Sequence, residues 1–179
     1  MASKYDDISG LVLTAPSAYS FSGLDFNDPG ASWTWEDEEA PCIDIMKTPL
    51  SVTFKSMILP MIVEAPVAYK EVYDAALAAD PQRDEKLIPV QDIKGDILIL
   101  VGEDDGMMDT LSMAELIKSK SANTVIYSYE NAGHMFSGDG IASEFGMRMR
   151  LGGTIEGNEK ARVESGKMVE EFLKAHHGE

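Results

Sequence analysis

Residues 96–106 read DILILVGEDDG. Ile97 to Val101 are five consecutive apolar residues, followed by Gly102 and three acids. An apolar run of this length with no polar interruption suits a strand covered on both faces, as in a parallel sheet with helices on each side. Upstream, ISGLVLTAPS (residues 8–17) has the pattern of a second strand, centred on Leu11, Val12 and Leu13 and ending in a Pro-Ser turn. Downstream, Thr110 is placed to cap a helix through LSMAELIKSK, and TVIYSYENAGH (residues 124–134) supplies a third strand and its turn. Residues 157–177 form an amphipathic pattern with Ala161, Met168, Val169, Phe172 and Leu173 on its apolar side, weakened at Gly166. The alternation predicts an α/β fold, mainly parallel, with about three strands visible. Three strands are fewer than a doubly wound sheet usually holds.

The rest of the chain is less regular. Residues 20–49 carry Gly, Asp, Pro and aromatic residues without periodicity and are expected to form a long ordered loop. Residues 51–79 have helical spacing broken at Pro60 and Pro66, best in VAYKEVYDAALAAD with Val67, Val72, Ala75, Ala76 and Ala79 apolar. The whole chain is expected to be one partial domain, residues 1–179, with residues 20–80 as a loop and helical insert or lid.

The sequence has 179 residues and 44% hydrophobic composition, enough for a sizeable core. Its 31 acids against 15 bases give a net charge of −16, which argues against nucleic acid and anionic membrane as partners. No apolar run reaches the length of a membrane span, and the first ten residues lack a secretory pattern. The single cysteine, Cys42, leaves no room for a disulfide framework or a cysteine-based metal site. A cytoplasmic location, with no cofactor and no metal, is the expectation.

Ligands of open α/β sheets gather beyond the carboxyl ends of the strands. Asp104 and Asp105 stand just past one strand, and His134 just past the next. A carboxylate there can fix one imidazole nitrogen and free the other to take a proton from a nucleophile. In α/β-hydrolases the chain order is nucleophile, acid, histidine, and the acid here precedes the histidine. Asp105 is preferred over Asp104 because it is the fourth residue of a Gly-x-x-Asp turn; Asp104 is left to bind backbone. No Gly-x-Ser-x-Gly elbow precedes Asp105. Ser9 lies ahead of a strand, Ser17 lacks flanking glycines, and Ser22 and Cys42 lie in the loop. Cys42 is expected to pack as a small apolar residue.

IPVQDIKGDILILVGEDDGMM, YENAGHMF, GGTIEGNEKARVESGKMVEEFLK and the earlier GASWTW resemble the C-terminal domain of the acyl-CoA thioester hydrolase / bile acid-CoA:amino acid N-acyltransferase family. The resemblance runs from about Ser3 to Phe172, and its most specific part is the Gly-Gly-Thr stretch with its helix. It implies the C-terminal part of an α/β-hydrolase fold, with Asp105 and His134 matching the family's acid and base. It also implies an acyl-CoA, or another ester or thioester, as substrate. The nucleophile, Ser or Cys, has no matching position, and MASKYDD resembles the end of the helix behind the elbow. The chain is therefore expected to begin just after its own nucleophile. The strand from Ile8 to Leu13 would then have an open edge, inviting self-association or capture of an N-terminal half.

Two other readings stand beside this one. One is a catalytically inactive remnant serving as a binding or assembly module. The other is a small hydrolase using Cys42 or Ser17. Trp33 and Trp35 are expected to pack within the loop, with acyl-site lining as the alternative. His176 and His177 are expected to be solvated at a helix end. The paired methionines Met57, Met61, Met107, Met108, Met147 and Met149 suit either a pliable apolar surface or core filling.

Overall fold

The computed structural model describes residues 2–23, 30–144 and 146–177. The part of the predicted loop at residues 24–29 lies outside the described residues, as does the side chain of His177. The chain runs through β1 (Gly10–Thr14), β2 (Thr34–Trp35), β3 (Glu38–Glu39), α1 (Leu50–Thr53), α2 (Leu59–Ile62) and α3 (Lys70–Ala79). It continues through β4 (Asp96–Gly102), α4 (Thr110–Lys120), β5 (Thr124–Tyr129), β6 (Ile141–Glu144), β7 (Met147–Arg150) and α5 (Ile155–His177).

The main sheet has the order β1-β4-β5, all parallel, with Leu11 opposite Ile97 and Ile97 opposite Thr124. The apolar run of β4 is buried from Ile97 through Gly102. Alternation divides its side chains between two cores. Ile97, Ile99 and Val101 pack with Met113, Ala114 and Ile117 of α4, and with Phe21, Ile43 and Ala76. Leu98 and Leu100 pack on the other face with Ala132, Phe136 and Ala161, flanked by Met168, Val169 and Phe172 of α5. Each such side chain is worth about 1.5–3 kcal/mol when fully buried. The continuous apolar run of β4 therefore reflects a strand with helices on both faces, as its sequence predicts.

Where it is described, the loop of residues 20–49 enters the core through Phe21, Ile43 and Ile45. It also holds the short ribbon β2–β3, which its irregular composition does not advertise. Residues 50–62 form one helical rod rather than a broken helix. A wider π turn, Phe54–Ile58, leads into Pro60. Proline has no N–H to offer the carbonyl four residues back. That carbonyl, of Ser56, instead accepts from the Ala68 N–H at 3.0 Å. In α3 the buried face is Val72 and Ala76, joined by Tyr73 and Leu77, whereas Ala79 faces solvent. The β6–β7 hairpin was not anticipated at all; β7 pairs with Val67, in the segment between the rod and α3.

α5 departs from expectation at two places. Leu173 is exposed. His176 is not solvated: its ring stacks on Phe172, Nδ1 contacts the Phe172 carbonyl at 2.7 Å, and Nε2 contacts Asp96 Oδ2 at 2.9 Å. With a carbonyl at one nitrogen and a carboxylate at the other, both contacts favour the protonated ring. The Phe172 carbonyl first, and Asp96 second, raise its pKa above the ordinary histidine value. A raised folded-state pKa means that the tether is complete below the ordinary value and is lost as pH climbs through the raised one. The protection of the last-turn amides of α5, with the intrinsic base-catalysed rise in exchange divided out, is therefore expected to fall over that rise in wild type. In His176→Gln it is expected to stay flat.

Gly166 lies in the middle of α5, exposed, and a Cβ built there meets nothing within 4 Å. Glycine in an open helix interior carries only its entropic cost. Gly166→Ala is expected to stabilise the fold by about 0.5–1 kcal/mol, read as a higher urea midpoint at constant slope.

Candidate active site

Parallel pairing brings the carboxyl ends of β4 and β5 side by side, and the turns behind them meet. Asp105 Oδ2 lies 2.8 Å from His134 Nδ1. An ionised carboxylate only accepts, so Nδ1 carries the proton and Nε2 is left bare when the ring is neutral. The carboxylate is otherwise fully engaged. Oδ1 accepts from the Met107 and Met108 N–H groups at 2.8 and 3.1 Å, and Oδ2 also accepts from the Thr110 hydroxyl at 2.8 Å. Only 3% of the Asp105 side chain is exposed, against 24% for His134. Burial pushes the Asp105 carboxyl up, but the bond and charge of His134, the Met107 N–H and Thr110 outweigh it. The group is held below its ordinary range. The arrangement is a buried, ionised acid that orients an imidazole whose far nitrogen faces outward.

Thr110 therefore does not cap α4. It is the first helical residue, and its hydroxyl is turned back onto Asp105. Asp104 contributes through its main chain rather than its exposed carboxylate: its N–H donates to the Ala132 carbonyl at 2.9 Å.

The Gly-Gly-Thr stretch lies against both turns. The Leu151 carbonyl accepts from the Gly106 N–H at 3.0 Å and from the His134 N–H at 2.9 Å. Gly152 bridges to Asp105 and Gly153 to Ala132. Gly152 sits at φ +86°, and a Cβ there would collide with the Asp104 carbonyl oxygen. Thr154 then opens α5. Its N–H donates to the Asn131 carbonyl at 2.9 Å, and its hydroxyl accepts from the Gly157 N–H at 3.0 Å, an N-cap bond.

Asn158 was not singled out from the sequence. It is 1% exposed, and its Oδ1 accepts from the Gly133 N–H at 2.8 Å. In sequence it is one more polar residue near a helix start. Only its burial marks it.

The candidate nucleophiles fare differently. The Ser17 hydroxyl donates to the Tyr19 carbonyl and accepts from the Tyr19 N–H, a closed local turn. Ser22 is buried and accepts from the Ile45 N–H. Cys42 stands near Lys86, Glu39, Asp44 and Asp80. Burial pushes its thiol up, opposite to the shift that activates a thiolate. Among the described residues, no hydroxyl or thiol hydrogen-bonds to His134. Trp35 packs edge-on against Tyr5 with Lys4 over its ring, whereas Trp33 is exposed rather than packed in the loop. Of the methionines, Met108 fills the core edge and Met61 is exposed. Among the described residues no cluster of His, Cys, Asp and Glu could hold a metal ion, and no helix is long and apolar enough to cross a membrane.

A three-stranded parallel sheet flanked by helices on both faces is the C-terminal part of an α/β-hydrolase fold. The family model described as BAAT / Acyl-CoA thioester hydrolase C terminal matches residues 1–179. The chain belongs to that family, which is acyl-CoA thioester hydrolase-like or acyltransferase-like. No curated protein is similar enough to count as a match.

Proposed function

We propose that this chain supplies the acid and base of an acyl-transfer centre acting on acyl-CoA or a related thioester, and that the attacking atom comes from outside residues 1–179. The observation that carries this is the 2.8 Å Asp105–His134 contact with the carboxylate pinned by three further donors. His134 Nε2 would take the proton of a Ser or Cys nucleophile as it attacks the thioester carbonyl carbon. The tetrahedral intermediate would collapse by breaking the C–S bond, with the imidazolium returning the proton to the leaving thiolate. Water or an amine, deprotonated in turn by Nε2, would then add to the acyl carbon, and the bond to the Ser or Cys would break as the imidazolium returns the proton to that atom. Asp105 holds the ring and balances its transient charge.

The family description names a C-terminal unit, which supports an attacking group in another part of the protein. Among the described residues β1 pairs only with β4, and its other side is where such a part, or a second copy, would add a strand. The exposed apolar side chains of the rod, Leu50, Phe54, Ile58 and Ile62 among them, suit the lid role for residues 20–80.

The purified 179-residue chain is expected to show no measurable acyl-CoA hydrolysis, to associate in light scattering, and to resist serine and cysteine activity probes. Losing a triad serine alone costs about 10⁶ in turnover in another hydrolase. Steady-state turnover by the chain alone, abolished by His134→Ala, would place the nucleophile within these residues and defeat the proposal.

A further inference from the structure

We propose that Asn158 is a positioning residue for His134: it fastens both ends of the histidine loop to the first turn of α5. The inference rests on the acid–base reading above and deepens it.

The loop of residues 131–138 holds its shape against its own backbone preferences. Asn131 and Phe136 sit at φ 58° and 48°, the left-handed region, which is unusual for a bulky residue such as phenylalanine. Conformations of this kind persist only where surrounding contacts over-determine them. Phe136 is anchored by packing edge-on against Tyr129. Main-chain bonds hold Asn131, Ala132 and His134, and the side-chain part of the polar anchoring comes from Asn158. Before the histidine, the Gly133 N–H donates to Asn158 Oδ1 at 2.8 Å. After it, Asn158 Nδ2 reaches the Ser137 and Gly138 carbonyls at 3.3 and 3.1 Å, and it also lies 3.4 Å from the Gly152 carbonyl. The amide cannot be reversed, because that would set two N–H donors face to face at Gly133.

Gly152 belongs to the segment that also holds the Asp105 turn. One buried amide therefore links the base loop, the acid turn and the start of α5. No water competes for it, since the residue is 1% exposed. Removing it would leave the Gly133 N–H and the carbonyls beyond His134 without this partner, while the Asp105–His134 contact itself would lose no atom. What changes is how well the ring is held.

The test uses histidine-labelled 179-residue chain and nuclear magnetic resonance of the ring nitrogens. There are three histidines, and His176, bonded to Asp96, serves as the folding reference within the same spectrum. Wild type is expected to show the His134 Nδ1–H proton protected from solvent, with Nε2 bare. In Asn158→Ala that protected proton is expected to vanish by exchange while the His176 signals and helix content stay put. Asn158→Asp, near in size but with a carboxylate facing three carbonyl oxygens, is expected to do the same and serves if the alanine variant does not fold. A folded variant that keeps the protected His134 proton overturns the positioning role and leaves the acid–base pair standing. A wild-type chain without that proton overturns both.

Discussion

Asp105→Asn is expected to lower thioester turnover by about 10⁴-fold, with little change in KM, in a preparation where a nucleophile completes the site. The reason is the pattern of donors around the carboxylate. Three donors already converge on Asp105 from Met107, Met108 and Thr110. An asparagine oxygen would satisfy the two main-chain N–H groups, which turns its NH₂ toward His134 Nδ1. The ring must then accept at Nδ1 and carry its proton on Nε2, where it can no longer act as a base. The substitution keeps shape and packing, so the fold should survive and the loss should fall on kcat. Equal turnover by wild type and Asp105→Asn would mean that the acid–imidazole pair has no part in the chemistry.

Gly152→Ala is expected to destabilise the chain by about 2–5 kcal/mol, a large part of the roughly 5–15 kcal/mol that holds a typical domain together. Two costs act together. The residue sits at φ +86°, where an L side chain is strained. Its Cβ would also drive into the Asp104 carbonyl, with the Gly106 nitrogen 2.8 Å away, and neither is a side chain that can swing aside. Urea unfolding should show a sharply lower midpoint, or no folded baseline at all. Gly166→Ala serves as the internal contrast, since the same chemical change in open space moves the midpoint the other way. An unchanged midpoint in Gly152→Ala would show that the acid turn does not press on this peptide.

The main sheet was legible because β4 is buried on both faces, and burial on both faces leaves an uninterrupted apolar run in sequence. Asp105 and His134 were legible for a related reason. Strand ends can be counted, and parallel strands deliver their following turns to the same edge. The β6–β7 hairpin left no comparable trace: its strands are four residues long, and β7 alternates Met and Arg with only half-buried methionines. Asn158 escaped because its role depends on carbonyls 20 and 21 residues earlier in the chain, and helical periodicity carries no record of them. Gly152 and Gly153 could be flagged by resemblance but not explained. The crowding that requires glycine there comes from Asp104 and Gly133, which only the fold brings near. Leu173 and His176 failed for a simpler reason: Phe172 and His176, four residues apart, form the face that lies on the sheet, and Leu173 is turned off it.

The main-chain bond from Leu151 to the Gly140 carbonyl, at 2.7 Å, closes the base of the β6–β7 ribbon. Only its last residue, Arg150, still lies against the acid turn, beside Gly106. The far end of the ribbon, from Ile141 to Met147, is thus the part whose length can change with least effect on the acid and base turns. It is a position where evolution, or a protein engineer, can exchange one appendage for another without disturbing the imidazole.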